Sequence, residues 1–290
     1  MAKDTFLNRK VTLNLKGELL DLSRPCVMGI LNLTPDSFYG NSRISSVDAA
    51  LQRVETCLNE GAAFIDIGAY SSRPGADDVS TDEEIRRIVP VITAISKRFP
   101  EAKLSVDTFR ARVARESIEA GAHLINDISG GTLDEELFET VAALKVPYIL
   151  MHMKGNPQTM QQNPVYENIG HEVVAYFAEK INKLKLLGVK DIILDPGFGF
   201  AKTIAHNYQL LNQLENLAVA GLPVLVGFSR KSMLYKYLNI TPETALNGTT
   251  VLNTLALQKG ASILRVHDVK AATECIALVE KMHHPDISLK

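Results

Sequence analysis

Eight times between Cys26 and Asp268, a short run rich in Ile, Val and Leu stops abruptly at a polar residue. The runs occupy 26–31, 63–68, 103–107, 123–128, 147–152, 191–195, 223–228 and 263–266. They are short and bounded by Gly or Pro, as strands buried on both faces should be. Amphipathic segments lie between them. Over 49–58, Leu51, Val54 and Leu58 fall on one helical face, and Gly61 stops the segment. Thr81-Asp82-Glu83-Glu84 opens another with acidic residues in its first turn. Helices are also predicted over 173–187, ended by Gly188, and over 245–259, ended by Gly260. Eight strand–helix units without a composition break predict one (β/α)8 TIM barrel over 1–290, and 290 residues suit a barrel of about 250. A doubly wound open sheet is the alternative, but it would carry a GxGxxG after its first strand, and the chain has none. Ahead of the repeats, Val11-Thr12-Leu13-Asn14-Leu15 alternates, Lys16-Gly17 turns and a second short run follows. This predicts an N-terminal β-hairpin closing one end of the barrel.

Charge and cysteine content narrow the function classes. A net charge of -2 gives no general basic field, which excludes nucleic acid as a partner and requires any anionic ligand to be held by a few placed cations. Cys26, Cys57 and Cys275 are odd in number and far apart, with no CxxC spacing, which argues against structural zinc and for a reducing compartment. No signal peptide is recognisable and no apolar run approaches about eighteen residues. The expected location is cytoplasmic, with no membrane partner.

Barrel active sites sit at the C-terminal ends of the strands. Here those ends are Asn32, Asp66, Asp107, Asn126-Asp127, His152, Asp195, Ser229-Arg230-Lys231 and Arg265-Val266-His267-Asp268. One acid at a strand end is ordinarily a helix cap or an ion-pair partner. Eight polar ends out of eight exceed what capping needs. Asp107, Asn126 and Asp195 form a set of acceptors suited to a flat heterocycle displaying several N–H groups. Lys231, Arg265, His267 and Asn32 form a second set, read as cations and an amide suited to a polyphosphate, with Arg73 from Ser71-Ser72-Arg73-Pro74-Gly75 able to join them. Phe198, Phe200 and Met151 are expected to line the ring's planar faces. The glycines before Lys202-Thr203 do not match GxxxxGK[ST], and the phosphate-loop reading is set aside.

The segments 28–38, 66–68, 72–75, 105–108, 125–127, 151–155, 194–200, 227–232 and 265–268 together resemble the dihydropteroate synthase family, in that family's order across nearly the whole chain. The resemblance implies condensation of 6-hydroxymethyl-7,8-dihydropterin pyrophosphate with para-aminobenzoate, giving 7,8-dihydropteroate and pyrophosphate, with Mg²⁺ and a homodimer. By position, Asp107, Asn126, Asp195 and Lys231 would hold the pterin. Asn32, Arg73, Arg265 and His267 would hold the pyrophosphate, Asn32 also lying near the metal. Phe38, Pro74 and Ser232 would border the aminobenzoate. Ser72, where a Thr is usual, and Val266 complete the candidate set. The catalytic residues are expected to be Asp107, Lys231, Arg265 and His267, in an SN1-like substitution. The chain departs from the family at Tyr39-Gly40-Asn41-Ser42, where a second loop acid is usual, and at Ala69-Tyr70-Ser71, which replaces Gly-Glu-Ser. The rival readings are a pterin-binding methyltransferase barrel, which needs no pyrophosphate cluster, a Schiff-base aldolase using Lys231, and a pterin-binding protein without activity.

Overall fold

The computed structural model describes residues 10–33, 43–70, 79–155, 160 and 164–286, apart from the side chains of 43–46. Strands β1 (Thr12–Leu15) and β2 (Glu18–Asp21) pair antiparallel as the predicted hairpin. Its two turn residues, Lys16 and Gly17, have φ of 53° and 98°, the left-handed geometry that a tight two-residue hairpin turn demands.

Eight parallel strands follow: β3 (Cys26–Asn32), β4 (Phe64–Gly68), β5 (Lys103–Asp107), β6 (Leu124–Asp127), β7 (Tyr148–Met151), β8 (Ile192–Asp195), β9 (Leu225–Val226) and β10 (Ile263–Val266). Their order is β8-β7-β6-β5-β4-β3-β10-β9, so β10 returns to β3. The remaining seam is bridged between Leu194 and Val224, with the Leu194 N–H donating to the Pro223 carbonyl at 2.9 Å. This is the predicted barrel. The strand β9 is shorter than expected from 223–228. Pro223 has no N–H to give a ladder, and the chain after Val226 leaves the sheet, so pairing with β10 is confined to Leu225 and Val226.

Helices α1 (Arg43–Asn59), α2 (Thr81–Arg98), α3 (Ala111–Glu119), α4 (Leu137–Leu144), α5 (Ile169–Leu186), α6 (Ile204–Asn212), α7 (Ser232–Leu238), α8 (Leu246–Gln258) and α9 (Val269–His283) lie outside the sheet. The acidic first turn of α2 was legible, and Ser80 caps it by accepting the Glu83 N–H. Helix α5 starts four residues before the expected 173, because Asn168 accepts the His171 N–H and nucleates the first turn there.

Strand alternation sorts the side chains into layers. Met28, Phe64, Leu124, Ile149, Ile193, Leu225 and Ile263 meet Leu13, Leu15 and Leu22 of the hairpin region in one cluster. The hairpin therefore plugs the N-terminal end of the barrel. Their strand neighbours, Val27, Ile65, Ile125, Tyr148, Leu150, Ile192, Leu194 and Leu264, belong to the outer layer beneath the helices. Two residues beyond each plug residue the chain points inward again, now toward the C-terminal mouth. On five strands that position holds Asp66, Asn126, Met151, Asp195 or Arg265.

Candidate active site

Register places Asn32, Gly68, Asp107 and Asn126 in one row across β3, β4, β5 and β6. Gly68 keeps the row open, since a Cβ there would lie 3.3 Å from the Asp107 Cβ. Arg265 reaches across from β10. Its Nε donates to Asp66 Oδ2 at 2.6 Å and its Nη2 to Asp107 Oδ2 at 2.8 Å. The amide of Asn126 donates to the same Asp66 oxygen at 3.0 Å. Asp66 is wholly buried, whereas Asp107 keeps 24% of its side chain open to the mouth. Burial disfavours charge on Arg265, but Asp66 and Asp107 more than offset this and raise its pKa. Burial pushes Asp107 up to about 7, against the lowering effect of Arg265. Burial likewise raises Asp195, opposed by Lys231, Arg265 and Lys202.

On the other wall, Lys231 donates to the Phe198 carbonyl and sits 4.9 Å from the Phe200 ring centroid. Burial lowers its pKa to about 8, while Asp195 works the other way. Ile128, Met151, Met153, Met160 and Ala201 form an apolar cluster, with Phe109 and Phe200 packed against it. Phe200 and Met151 are thus where a planar ring would meet them. Phe198 is not. It is fully buried against Phe228 in the outer core, its ring centroid 4.5 Å away, and contributes only its carbonyl.

Ser229 and His267 make a second unit. The Ser229 Oγ accepts the His267 backbone N–H at 3.2 Å and lies 2.9 Å from its Nδ1. With that oxygen already accepting, its proton is available to Nδ1, which leaves the ring proton on Nε2. Burial, Arg265 and Arg230 push the His267 pKa down to about 4. The expectation of a cation at His267 is therefore corrected: near neutral pH this side chain is an uncharged donor. Arg53 of α1 holds the His267 carbonyl from outside.

Val266 requires a second correction. It is one residue past the inward-facing Arg265, so alternation sends its side chain into the outer core, where it is 1% exposed. Only its backbone lies at the mouth. Asp127 faces outward for the same reason, accepting N–H bonds from Ser129 and Gly131 and the Tyr148 hydroxyl at 2.5 Å. Asn32 is half-buried at the end of β3, and Ser232 is half-buried at the start of α7. Phe38, Ser72, Arg73 and Pro74 lie outside the described residues, as do the departures at 39–42. Tyr70, the other departure, packs edge-on against Phe109 at 5.1 Å.

The sequence reading left Asp66, Ile128, Ser229 and Lys202 out of the site. Asp66 was recoverable, since it lies two residues past Phe64 and so faces inward. Ser229 was named as a strand end, but its partner 38 residues away is a tertiary fact. The geometry as a whole is that of an α/β barrel whose C-terminal mouth brings carboxylate and amide groups together with placed cations beside an apolar cluster.

Residues 28–267 match the family model described as pterin binding enzyme. Dihydropteroate synthase of Escherichia coli is 46% identical over 268 residues, covering 91% of this chain and 94% of that protein. The Synechocystis dihydropteroate synthase is 43% identical over 262 residues, covering 89% and 90%. Among solved structures, Yersinia pestis dihydropteroate synthase with a sulfonamide drug complex superposes with a TM-score of 0.88 at 45% identity, covering 94% of this chain and 99% of that one. Xanthomonas albilineans dihydropteroate synthase with 4-aminobenzoic acid gives 0.88 at 38% identity, covering 94% and 98%. The chain belongs to the dihydropteroate synthases, within the pterin binding enzymes.

Proposed function

We propose that the chain condenses 6-hydroxymethyl-7,8-dihydropterin pyrophosphate with para-aminobenzoate, releasing pyrophosphate. The observation that carries this reading is the Asp66–Arg265–Asp107 bridge beside Asn126. It places carboxylate acceptors and a fixed cation at one mouth, as a positively polarised pterin and its anionic leaving group require. Asp107, Asn126 and Asp195 would accept from and donate to the pterin edge, with Met151, Ile128 and Phe200 against its faces. Lys231 would join them at the pterin, and Arg265 and the His267 Nε2–H would take up charge on the leaving group, the largest electrostatic contribution to such a transition state. The bond from the exocyclic CH₂ to oxygen breaks with its electron pair going to pyrophosphate. Asp107 and Asp195 favour the positive charge left on the pterin. The arylamine nitrogen then forms the new C–N bond and loses a proton. It is already neutral near pH 7, so no strong base is required. Pyrophosphate release from the pterin substrate, measured with and without para-aminobenzoate, tests the reading. Absence of release with both substrates present sinks it.

The proposal includes Mg²⁺. Among the described residues no cluster of three or more His, Cys, Asp or Glu offers a protein cage. That donor set fits an ion held by the Asn32 amide oxygen, pyrophosphate oxygens and water, as Mg²⁺ commonly is. When bound, the ion would supply charge neutralisation at the leaving group. Thorough chelation is expected to abolish turnover and added Mg²⁺ to restore it. Full activity in chelator would mean that the cationic side chains suffice.

The pH profile of the free protein should be bell-shaped. Asp107 must be ionised to accept, and its pKa is raised to about 7, so kcat/KM rises through that pH. Lys231 must be charged, and its pKa is lowered to about 8, so kcat/KM falls above it. A flat profile from pH 6 to 9 would remove both residues from the rate-determining machinery.

We further propose that the chain is a cytoplasmic homodimer built on α8 and α9. Both helices are apolar on two sides. Leu252, Ala256 and Ile276 are buried in the core, while Leu246, Leu278 and Met282 are exposed along one groove between the two helices and Val251 and Leu255 are exposed on α8. A continuous apolar face of this kind favours a self-complementary two-fold contact. Free Cys26, Cys57 and Cys275 accord with a reducing compartment. Leu278→Glu, on a side chain 73% exposed in the single chain, is expected to give a folded monomer by light scattering after gel filtration. An undiminished dimer would move the interface elsewhere.

A further inference from the structure

Lys202 is the one lysine among the described residues with almost no surface, at 3% exposure, and the proposed chemistry does not use it. Its Nζ lies 2.9 Å from the Gly197 carbonyl, 3.0 Å from that of Phe200, 3.0 Å from His152 Nδ1 and 3.4 Å from the His152 carbonyl. An ammonium has three protons and no lone pair, and the three carbonyls converging on it can take all three, which matches a site for a buried cation. The loop it gathers is conformationally costly. Gly197, Gly199 and Ala201 have φ of 69°, 83° and 48°, and a Cβ on Gly197 would meet the His152 carbonyl at 2.1 Å. The Gly197 and Phe200 carbonyls of this loop turn toward the lysine, while that of Ala201 accepts the Tyr166 hydroxyl. The same loop begins at Asp195, whose Oδ1 accepts the Gly197 N–H at 2.8 Å. It also carries the Phe198 carbonyl that holds Lys231 and the Phe200 ring beneath it.

We propose that Lys202 is a positioning residue, whose buried ammonium fixes the 195–201 loop and thereby sets Asp195, Phe200 and Lys231 for the pterin. The inference rests on the reading that this pocket takes the pterin. It also has an electrostatic side. The interior holds Asp66, Asp107 and Asp195 against Arg265, Lys231 and Lys202, and Lys202 is one of three cations opposing protonation of Asp195. Burial lowers the pKa of Lys202 to about 7, with Lys231 and Lys154 acting the same way and Asp195 holding the charge on; His152 beside it is kept neutral near pH 7 by burial and Lys202.

The test compares Lys202→Met and Lys202→Gln with the wild type in the full chain, by calorimetric titration of the pterin pyrophosphate and by the pH profile of kcat/KM. Failure of the wild type to bind the pterin refutes the proposed function and not this role. Given wild-type binding, Lys202→Met is expected to weaken pterin affinity by ~10-fold or more and to move the acid limb to higher pH, because Asp195 has lost a neighbouring cation and now titrates above the Asp107 step that sets the wild-type limb. Lys202→Gln, which keeps donors without charge, should recover part of the affinity and none of the limb shift. Wild-type affinity with an unmoved limb in Lys202→Met, even at a lower melting temperature, overturns the proposal. If neither variant folds, hydrogen exchange on the wild type decides. Pterin binding must raise protection of the 197–203 amides, and unchanged protection there overturns the coupling.

Discussion

Asp107→Asn is expected to lower pterin affinity by roughly 10- to 150-fold while leaving the fold almost as stable as before. The amide keeps the shape of the side chain but loses its charge, and it offers an N–H where the pterin edge needs an acceptor. A charge-assisted bond of this kind is worth about 1.5–3 kcal/mol. The fold is spared because Arg265 retains Asp66 at 2.6 Å, and the asparagine carbonyl can still accept from its Nη2. The pH dependence of stability sharpens the expectation. The Asp107 pKa is raised on folding, so its contribution is full below the ordinary carboxylate range and is lost as pH rises through about 7. The variant has no such loss, so its stability relative to wild type should improve as pH rises from the ordinary carboxylate range toward 7 and level off above it, while its binding stays poor. The acid limb of kcat/KM should also disappear, and kcat should fall along with affinity, because the carboxylate supports charge that develops only during the reaction. Calorimetric titration beside melting curves at pH 6 and pH 8 checks both halves. Unchanged affinity would leave Asp107 with no task beyond tying β5 to Arg265.

How much of this was legible follows from which physical signal each residue carries. The barrel was readable because eight apolar runs with polar ends are a local, repeated pattern, and three helix stops were marked by Gly61, Gly188 and Gly260. The inward ring of Asp107, Asn126, Asp195 and Arg265 was readable because strand ends in a barrel are the mouth. Facing was read less well, although the information was present. A period of two places Val266 and Asp127 on the outer face, and counting from Phe64 places Asp66 inside. Charge state was not readable at His267, because its neutrality comes from burial and from Arg265 and Arg230, neighbours fixed only by the fold. Lys202 was hardest. Its neighbouring glycines suggested a phosphate loop that the spacing does not match, and nothing local says that a lysine two residues past Phe200 turns back under its own loop. Phe198 and Phe200 show the same limit, since two aromatics in one hexapeptide part company according to backbone φ at Gly197 and Gly199.

The Asp66–Arg265 pair gives the other large effect, because it joins stability to chemistry in a way that two substitutions can separate. Asp66 is 0% exposed, and Arg265 is the one cation bonded to it among the described residues. Arg265→Met would leave a buried carboxylate with only the Asn126 amide, and removing one partner from a buried pair typically costs about 3–5 kcal/mol. Adding Asp66→Asn to Arg265→Met removes the stranded charge, keeps an acceptor for Asn126, and is expected to restore most of the lost stability. Turnover should not return, because the guanidinium that faces both Asp107 and the leaving group is still missing. Melting curves and pyrophosphate release for the single and double variants read the two outcomes independently. Recovery of turnover in the double variant would assign Arg265 to the fold alone, and a single variant as stable as wild type would mean that the fold does not depend on the Asp66–Arg265 pair.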